Sequence, residues 1–284
     1  MDIQWYPGHM AKTRRIIKEN LKLVDLVLEI VDARAPKSTH IPDILELIGS
    51  KRLIVVLNKA DLADDKVTES WVKFFSKKGL DSLSVDSRRK VGFKKLDEIV
   101  KTIPKQTRRP LRGIVVGVPN VGKSSFINQI AGKKGAKTGN KPGITRGKMW
   151  LKAGDKIELL DTPGILWPKI EEEMVGLKLA FLGCIKEELL NLEEVSLKLI
   201  EFLVKKYPEA LSNRYGVEPC ENSTLILEQI AKNRGFIIAG GRYDTLRAAK
   251  TLLKEFQDGK LGRISLEEPD EEETQEDWQK CKTC

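Results

Sequence analysis

The stretch Gly117-Val-Pro-Asn-Val-Gly-Lys-Ser124 constrains this chain more than any other, because it joins the pattern GxxxxGK[ST] to a fixed local context. Leu111 to Val116 forms a short apolar run ending at Gly117, and Ser125 to Ile130 reads as the start of a helix. Strand, glycine loop and helix in that order make a phosphate cradle. The glycines let backbone N–H groups turn inward, and the helix N-terminus adds the positive end of its dipole. The candidate phosphate-binding residues are therefore Asn120, Val121, Gly122, Lys123, Ser124 and Ser125. Lys123 would reach the β- and γ-phosphates and Ser124 would ligate Mg²⁺, so the loop implies a nucleoside triphosphate together with a divalent ion.

A second motif selects the base. Leu53 to Leu57 is a buried-strand pattern that delivers Asn58-Lys-Ala-Asp61 at its carboxyl end, where open α/β sheets place ligand-binding residues. The tetrapeptide matches [NT]KxD. A carboxylate at Asp61 accepts hydrogen bonds from the N1–H and exocyclic amine of guanine, whereas adenine presents an acceptor at N1 and leaves the charge unsatisfied, at a cost of about 1–3 kcal/mol or more. The expected ligands are GTP and GDP. Asp161, at the end of the apolar run Ile157 to Leu160, has the placement of a Walker-B aspartate that holds Mg²⁺ through water. Gly164, in Asp161-Thr-Pro-Gly164, can turn its N–H toward the γ-phosphate. Thr145, in Pro142-Gly-Ile-Thr-Arg146, is the expected further hydroxyl ligand of Mg²⁺, with Thr138 in reach by spacing as well.

The remaining chain supports an α/β protein with an appended helical part. Leu26 to Val31 is a nearly continuous apolar run ending at Asp32-Ala-Arg-Ala-Pro36, and helices are expected at about Ile41 to Ile48, Thr68 to Lys78 and Phe93 to Ile103, with a short strand at Leu83 to Val85. Met149 to Lys152 and Ile157 to Leu160 flank Gly154-Asp155 as a hairpin. Lys133 to Lys148 holds six basic residues, four glycines and no acid, the composition of a mobile cationic loop. From Leu177 to Phe256 the periodicity is helical. The expected domains are a nucleotide-binding domain at 1–171, a smaller all-α domain at 172–266 and an acidic, disordered tail at 267–284.

Charge points to a polyanionic partner. The net charge is +9 although Glu267 to Asp277 carries eight acidic residues and no basic one, so the rest is more basic still. In the expected helix Tyr243 to Phe256, Leu246, Ala249, Leu253 and Phe256 form an apolar stripe, with Arg247, Lys250 and Lys254 on another face and Lys232, Arg234, Arg242, Lys260 and Arg263 flanking it. Such a cluster suits an RNA backbone. The absence of a long apolar run or signal-peptide core and the four scattered cysteines suit a soluble protein in the reducing cytoplasm; Cys281-x-x-Cys284 has half the spacing of a zinc site, with no second pair nearby.

The order of these motifs, with the guanine motif before the phosphate loop, resembles that of circularly permuted GTPases. The opening Trp5-Tyr-Pro-Gly-His-Met-Ala-Lys12 and the segment Gly259-Lys-Leu-Gly-Arg-Ile264 resemble those of the YlqF/RbgA ribosome-biogenesis group. The resemblance implies a Ras-like, circularly permuted GTPase domain. It also implies a monomeric switch in assembly of the large ribosomal subunit, slow alone, stimulated by the subunit and docking on ribosomal RNA. A protein-recruiting switch is the alternative. The Ser-Ala loop of such proteins falls near Ser87, in Asp86-Ser-Arg88. Ile165 stands where Ras-like enzymes carry a water-positioning glutamine, and the family resemblance makes His9 the catalytic candidate, the other reading being a cap on the helix near Ala11. Asn120 resembles the asparagine of potassium-activated GTPases and is the candidate K⁺ ligand.

Overall fold

Apolar runs without alternation demand cover on both faces, and a parallel sheet whose crossover helices pack on its faces provides it. The computed structural model describes residues 15, 18–104, 109–132, 149–153, 157–162, 164 and 172–270. Among these, one sheet is built from β1 (Leu26–Asp32), β2 (Arg52–Asn58), β3 (Asp81–Val85), β4 (Leu111–Val116), β5 (Met149–Ala153) and β6 (Ile157–Asp161). Its order is β3-β2-β1-β4-β6-β5, with β5 antiparallel to β6 and the other pairs parallel. Every residue of β1 is buried. The parallel register sets Asp32 beside Asn58, so two polar residues finish adjacent strands at the same end of the sheet.

Short helices follow the strands: α1 (Pro36–Thr39), α2 (Ile44–Ile48), α3 (Asp65–Lys77), α4 (Phe93–Thr102) and α5 (Lys123–Ala131). Val27, Val31, Val55 and Leu57 of the sheet join Ile44 and Ile48 of α2 and Trp71, Phe74 and Phe75 of α3 in one core. Trp71 meets Phe74 edge-on at 5.3 Å between centroids, and Phe93 of α4 stacks on Phe126 of α5 at 5.5 Å. The helix expected from Ile41 begins only at Ile44. Buried Glu29 accepts the Ile41 N–H at 2.6 Å and Asp43 takes a left-handed φ of 59°, so the backbone before Ile44 is committed elsewhere.

The chain divides into two compact units, one of Asp2–Ile170 with Ser265–Cys284 and one of Glu171–Ile264. The second contains α6 (Glu173–Phe181), α7 (Leu192–Lys206), α8 (Pro208–Tyr215), α9 (Ser223–Asn233) and α10 (Thr245–Gln257). Helix α7 packs against the other four through buried Val195, Leu199, Ile200 and Leu203. Asn191, Asn222 and Asp244 cap α7, α9 and α10 by accepting backbone N–H groups of the first turn, each cap contributing about 1 kcal/mol. Capping by Asp244 starts α10 two residues after Tyr243. Its buried stripe is Ala248, Ala249, Leu252, Leu253 and Phe256, while Leu246, expected in that stripe, is exposed.

Candidate functional site

The loop between β4 and α5 is shaped by contacts that only glycine permits. A Cβ on Gly117 would lie 2.4 Å from the Ile30 carbonyl oxygen, and one on Gly122 would lie 2.3 Å from Asn58 Nδ2. Both glycines have positive φ, as does Asn120 at 64°, and backbone of this kind turns successive N–H groups toward an anion. Lys123, almost fully buried in the first turn of α5, donates through Nζ to the carbonyls of Gly117 at 3.0 Å and Val118 at 2.7 Å. Its ammonium is thereby folded over the loop. Val121 is buried and Ser125 half-buried at the start of the helix.

Next to this loop, Ser124 Oγ donates to Asp161 Oδ2 at 3.2 Å, and Asp161 is nearly buried at the end of β6. A hydroxyl beside a carboxylate in a site of low exposure is a hard-oxygen donor set, which fits Mg²⁺. The adjacent Thr162 hydroxyl donates to the Val115 carbonyl at 2.6 Å, pinning the end of β6 to β4. Gly164 lies against the loop: a Cβ there would sit 2.9 Å from the N and Cα of Pro119.

Asn58 joins the guanine motif to the phosphate loop. It is 1% exposed, its Nδ2 donates to the Val121 carbonyl at 2.7 Å, and its Oδ1 accepts from Ser87 Oγ at 2.7 Å. Three loops leaving β2, β3 and β4 therefore meet on one amide. Ser87 enters the site through this bond, and neighbouring Asp86 orders the turn by accepting the N–H groups of Arg88 and Arg89. Burial, reinforced by the charge of Asp86, raises the Asp61 carboxyl above its ordinary value. A carboxylate so disfavoured gains from donors such as the N1–H and amine of guanine.

Lys59 has a left-handed φ of 59° and reaches Asp32, with Nζ 3.0 Å from Oδ2. Asp32 is fully buried and also grips Arg34 from two sides, Nε at 2.9 Å and Nη2 at 2.9 Å. Burial alone would raise its carboxyl, but the Arg34 and Lys59 cations outweigh that and hold it far below the usual carboxylate range. The sequence reading gave Asp32 no role. Its signal was present as an acid ending a nearly continuous apolar strand beside the guanine strand. His9, the candidate catalytic residue, and Thr145, the candidate further Mg²⁺ ligand, lie outside the described residues.

In the helical unit the expected basic face is partly committed. Glu255, almost buried, binds Arg214 and the Tyr215 hydroxyl and lies 3.3 Å from Arg234 and 3.9 Å from Lys260. Arg247 stacks over Phe236 at 4.4 Å, and Lys254 pairs with Asp258 at 3.1 Å. Lys232, Arg242 and Lys250 are exposed.

Residues 112–224 match the family model described as a 50S ribosome-binding GTPase. Ribosome biogenesis GTPase A of Bacillus cereus is 45% identical over 282 residues, covering 95% of this chain and 95% of that protein. The protein of the same name from Priestia megaterium is 43% identical over 285 residues, covering 96% and 99%. Among solved structures, GNP-bound YlqF from Thermotoga maritima is similar at a TM-score of 0.66 and 32% identity, over 91% of this chain and 99% of that one.

Proposed function

The chain belongs to the ribosome biogenesis GTPase A family, and from that premise we propose how its nucleotide site serves the assembly of ribosomes. It is a GTPase of ribosome biogenesis, acting as a monomeric cytoplasmic switch that docks on the large ribosomal subunit with GTP bound and leaves after hydrolysis. The observation that carries this reading is the pair of hydrogen bonds by which Asn58 donates to the Val121 carbonyl and accepts from the Ser87 hydroxyl, joining the guanine motif and the phosphate loop in one site. The order of motifs supports a circular permutation: opening the chain before β4 and joining its ends would put the phosphate loop first and the guanine motif after it, as in an unpermuted Ras-like chain.

In this reading the loop N–H groups and Lys123 bind the phosphates, and Asp61 selects guanine. Ser124 and Asp161, with Thr145, would hold Mg²⁺, which offsets the negative charge of the phosphates when bound. His9 is assigned to orient the attacking water, because Ile165 has no group to do so. The side-chain carbonyl of Asn120 is assigned to K⁺. The helical unit is assigned to ribosomal RNA through a local cationic cluster that includes the exposed Lys232, Arg242 and Lys250. No helix among the described residues is long and apolar enough to cross a membrane.

Steady-state GTP turnover, measured in potassium and in sodium with and without purified large subunits, tests the proposal. Marked stimulation by subunits is expected, with turnover faster in potassium and with His9→Ala impairing hydrolysis while sparing GTP affinity. Absent stimulation despite intact GTP binding would replace the ribosomal role with a protein-recruiting switch. Equal losses of turnover and affinity in His9→Ala would remove the catalytic assignment.

A further inference from the structure

Ser265 to Glu267 follow the helical unit in the chain, yet they belong to the unit that carries the nucleotide loops. Ser265 and Leu266 are buried. The Ser265 hydroxyl accepts the Asp64 N–H at 3.1 Å, the Leu266 N–H donates to the Arg34 carbonyl at 2.7 Å, and the Trp71 indole N–H donates to the Glu267 carbonyl at 3.3 Å. The Glu267 carboxylate accepts from both the N–H and the hydroxyl of Ser38, each at 2.9 Å.

Each of these partners adjoins the guanine machinery. Asp64 closes the loop that starts at Asn58 and carries Lys59 and Asp61, and Trp71 lies in α3 directly after it. Arg34 is clamped by Asp32, the same carboxylate that holds Lys59. Between its ends the guanine loop has only a left-handed residue and one 3₁₀ turn, Ala60–Leu62, a conformation with little rigidity of its own. A strap that fixes the segments after β1 and β2 together would restrict where Asp61 sits, and a restricted loop loses less conformational freedom when a ligand orders it.

We propose that Ser265 and Glu267 are positioning residues for guanine recognition, so that the base preference of the site depends on a strap contributed from beyond the helical unit. This rests on the reading of Asn58 to Asp61 as the guanine motif. The test compares the affinities of GDP and inosine diphosphate, which lacks the exocyclic amine and offers Asp61 one hydrogen bond fewer. Measurements use the full chain and its Ser265→Ala and Glu267→Gln variants.

The wild-type protein is expected to prefer GDP by about tenfold, the factor that corresponds to one hydrogen bond at a charged group. The variants should lose that preference by about threefold or more, through weaker GDP binding with inosine diphosphate affected less. A preference that stays at the wild-type value overturns the proposal, whether both affinities persist or both fall together through general loosening. Ser265→Ala removes a single hydroxyl and keeps the test open if Glu267→Gln folds poorly. A wild-type protein with no preference for GDP overturns the guanine reading itself, and the strap's role with it.

Discussion

At the scale of single residues, the site depends on side chains that brace other loops as much as on those aimed at a ligand. Asn58 spends both ends of its amide on Val121 and Ser87, and Asp32 holds Lys59 across from it. Asp61 is the side chain proposed to face the base. Xanthine has a carbonyl where guanine has its exocyclic amine, and an asparagine side chain can donate to that carbonyl while a carboxylate cannot. Asp61→Asn is therefore expected to shift the preference from GTP toward xanthosine triphosphate by at least about tenfold, equivalent to about 1.4 kcal/mol, in competition binding. A variant that still favours GTP would remove Asp61 from base selection.

At the scale of elements, strands β1, β2, β4 and β6 run parallel and place Asp32, Asn58, the phosphate loop and Asp161 at the same end of the sheet. The helical unit has its own polar keystone on α10. Hydrogen bonding from Arg214 outweighs burial and, with Tyr215 and Arg234, lowers the Glu255 carboxyl to about 2; burial and then Glu255 in turn push the Tyr215 hydroxyl up. A depressed carboxyl stabilises the folded form fully above its unfolded value, near pH 4.5, and that stabilisation is lost as pH falls through the folded value near 2. Glu255→Gln should accordingly cost about 2 kcal/mol at neutral pH, and the difference from wild type should shrink as pH is lowered from about 4.5 toward 2. Amide hydrogen exchange across α8 and α10, the helices that Arg214, Tyr215 and Glu255 join, reads this directly. A pH-independent difference would mean that packing, and not charge, holds the two helices.

At the scale of the whole molecule, two compact units and a basic composition suit a switch that docks on a polyanion. Glu255 engages Arg234 and approaches Lys260, and Phe236 engages Arg247, which leaves Lys232, Arg242 and Lys250 as the better candidates for phosphate contacts. Replacing these three by alanine should weaken binding to the large subunit and reduce the slope of log affinity against log salt by about 2 to 3, without changing GTP affinity. Sedimentation with subunits at several salt concentrations measures it. An unchanged slope would place the contact surface elsewhere.

The sequence by itself determined the elements that depend on local pattern. Buried parallel strands need largely apolar runs, the phosphate loop needs glycines at set spacing, and a guanine motif needs Asn-Lys-x-Asp after a strand; each is a short-range requirement written in neighbouring residues. Tertiary structure alone decided which side chains meet. The pairing of Asp32 with Lys59 follows from strand register, and the gathering of Arg214, Tyr215 and Arg234 on Glu255 follows from helix packing. Most of all, Glu267 reads in sequence as the start of a solvated acidic tail, yet its carboxylate binds Ser38, 229 positions earlier. Local patterns encode backbone conformation and which face is apolar; a partner so distant in the chain leaves no periodic trace, and only the folded core brings it within hydrogen-bonding reach.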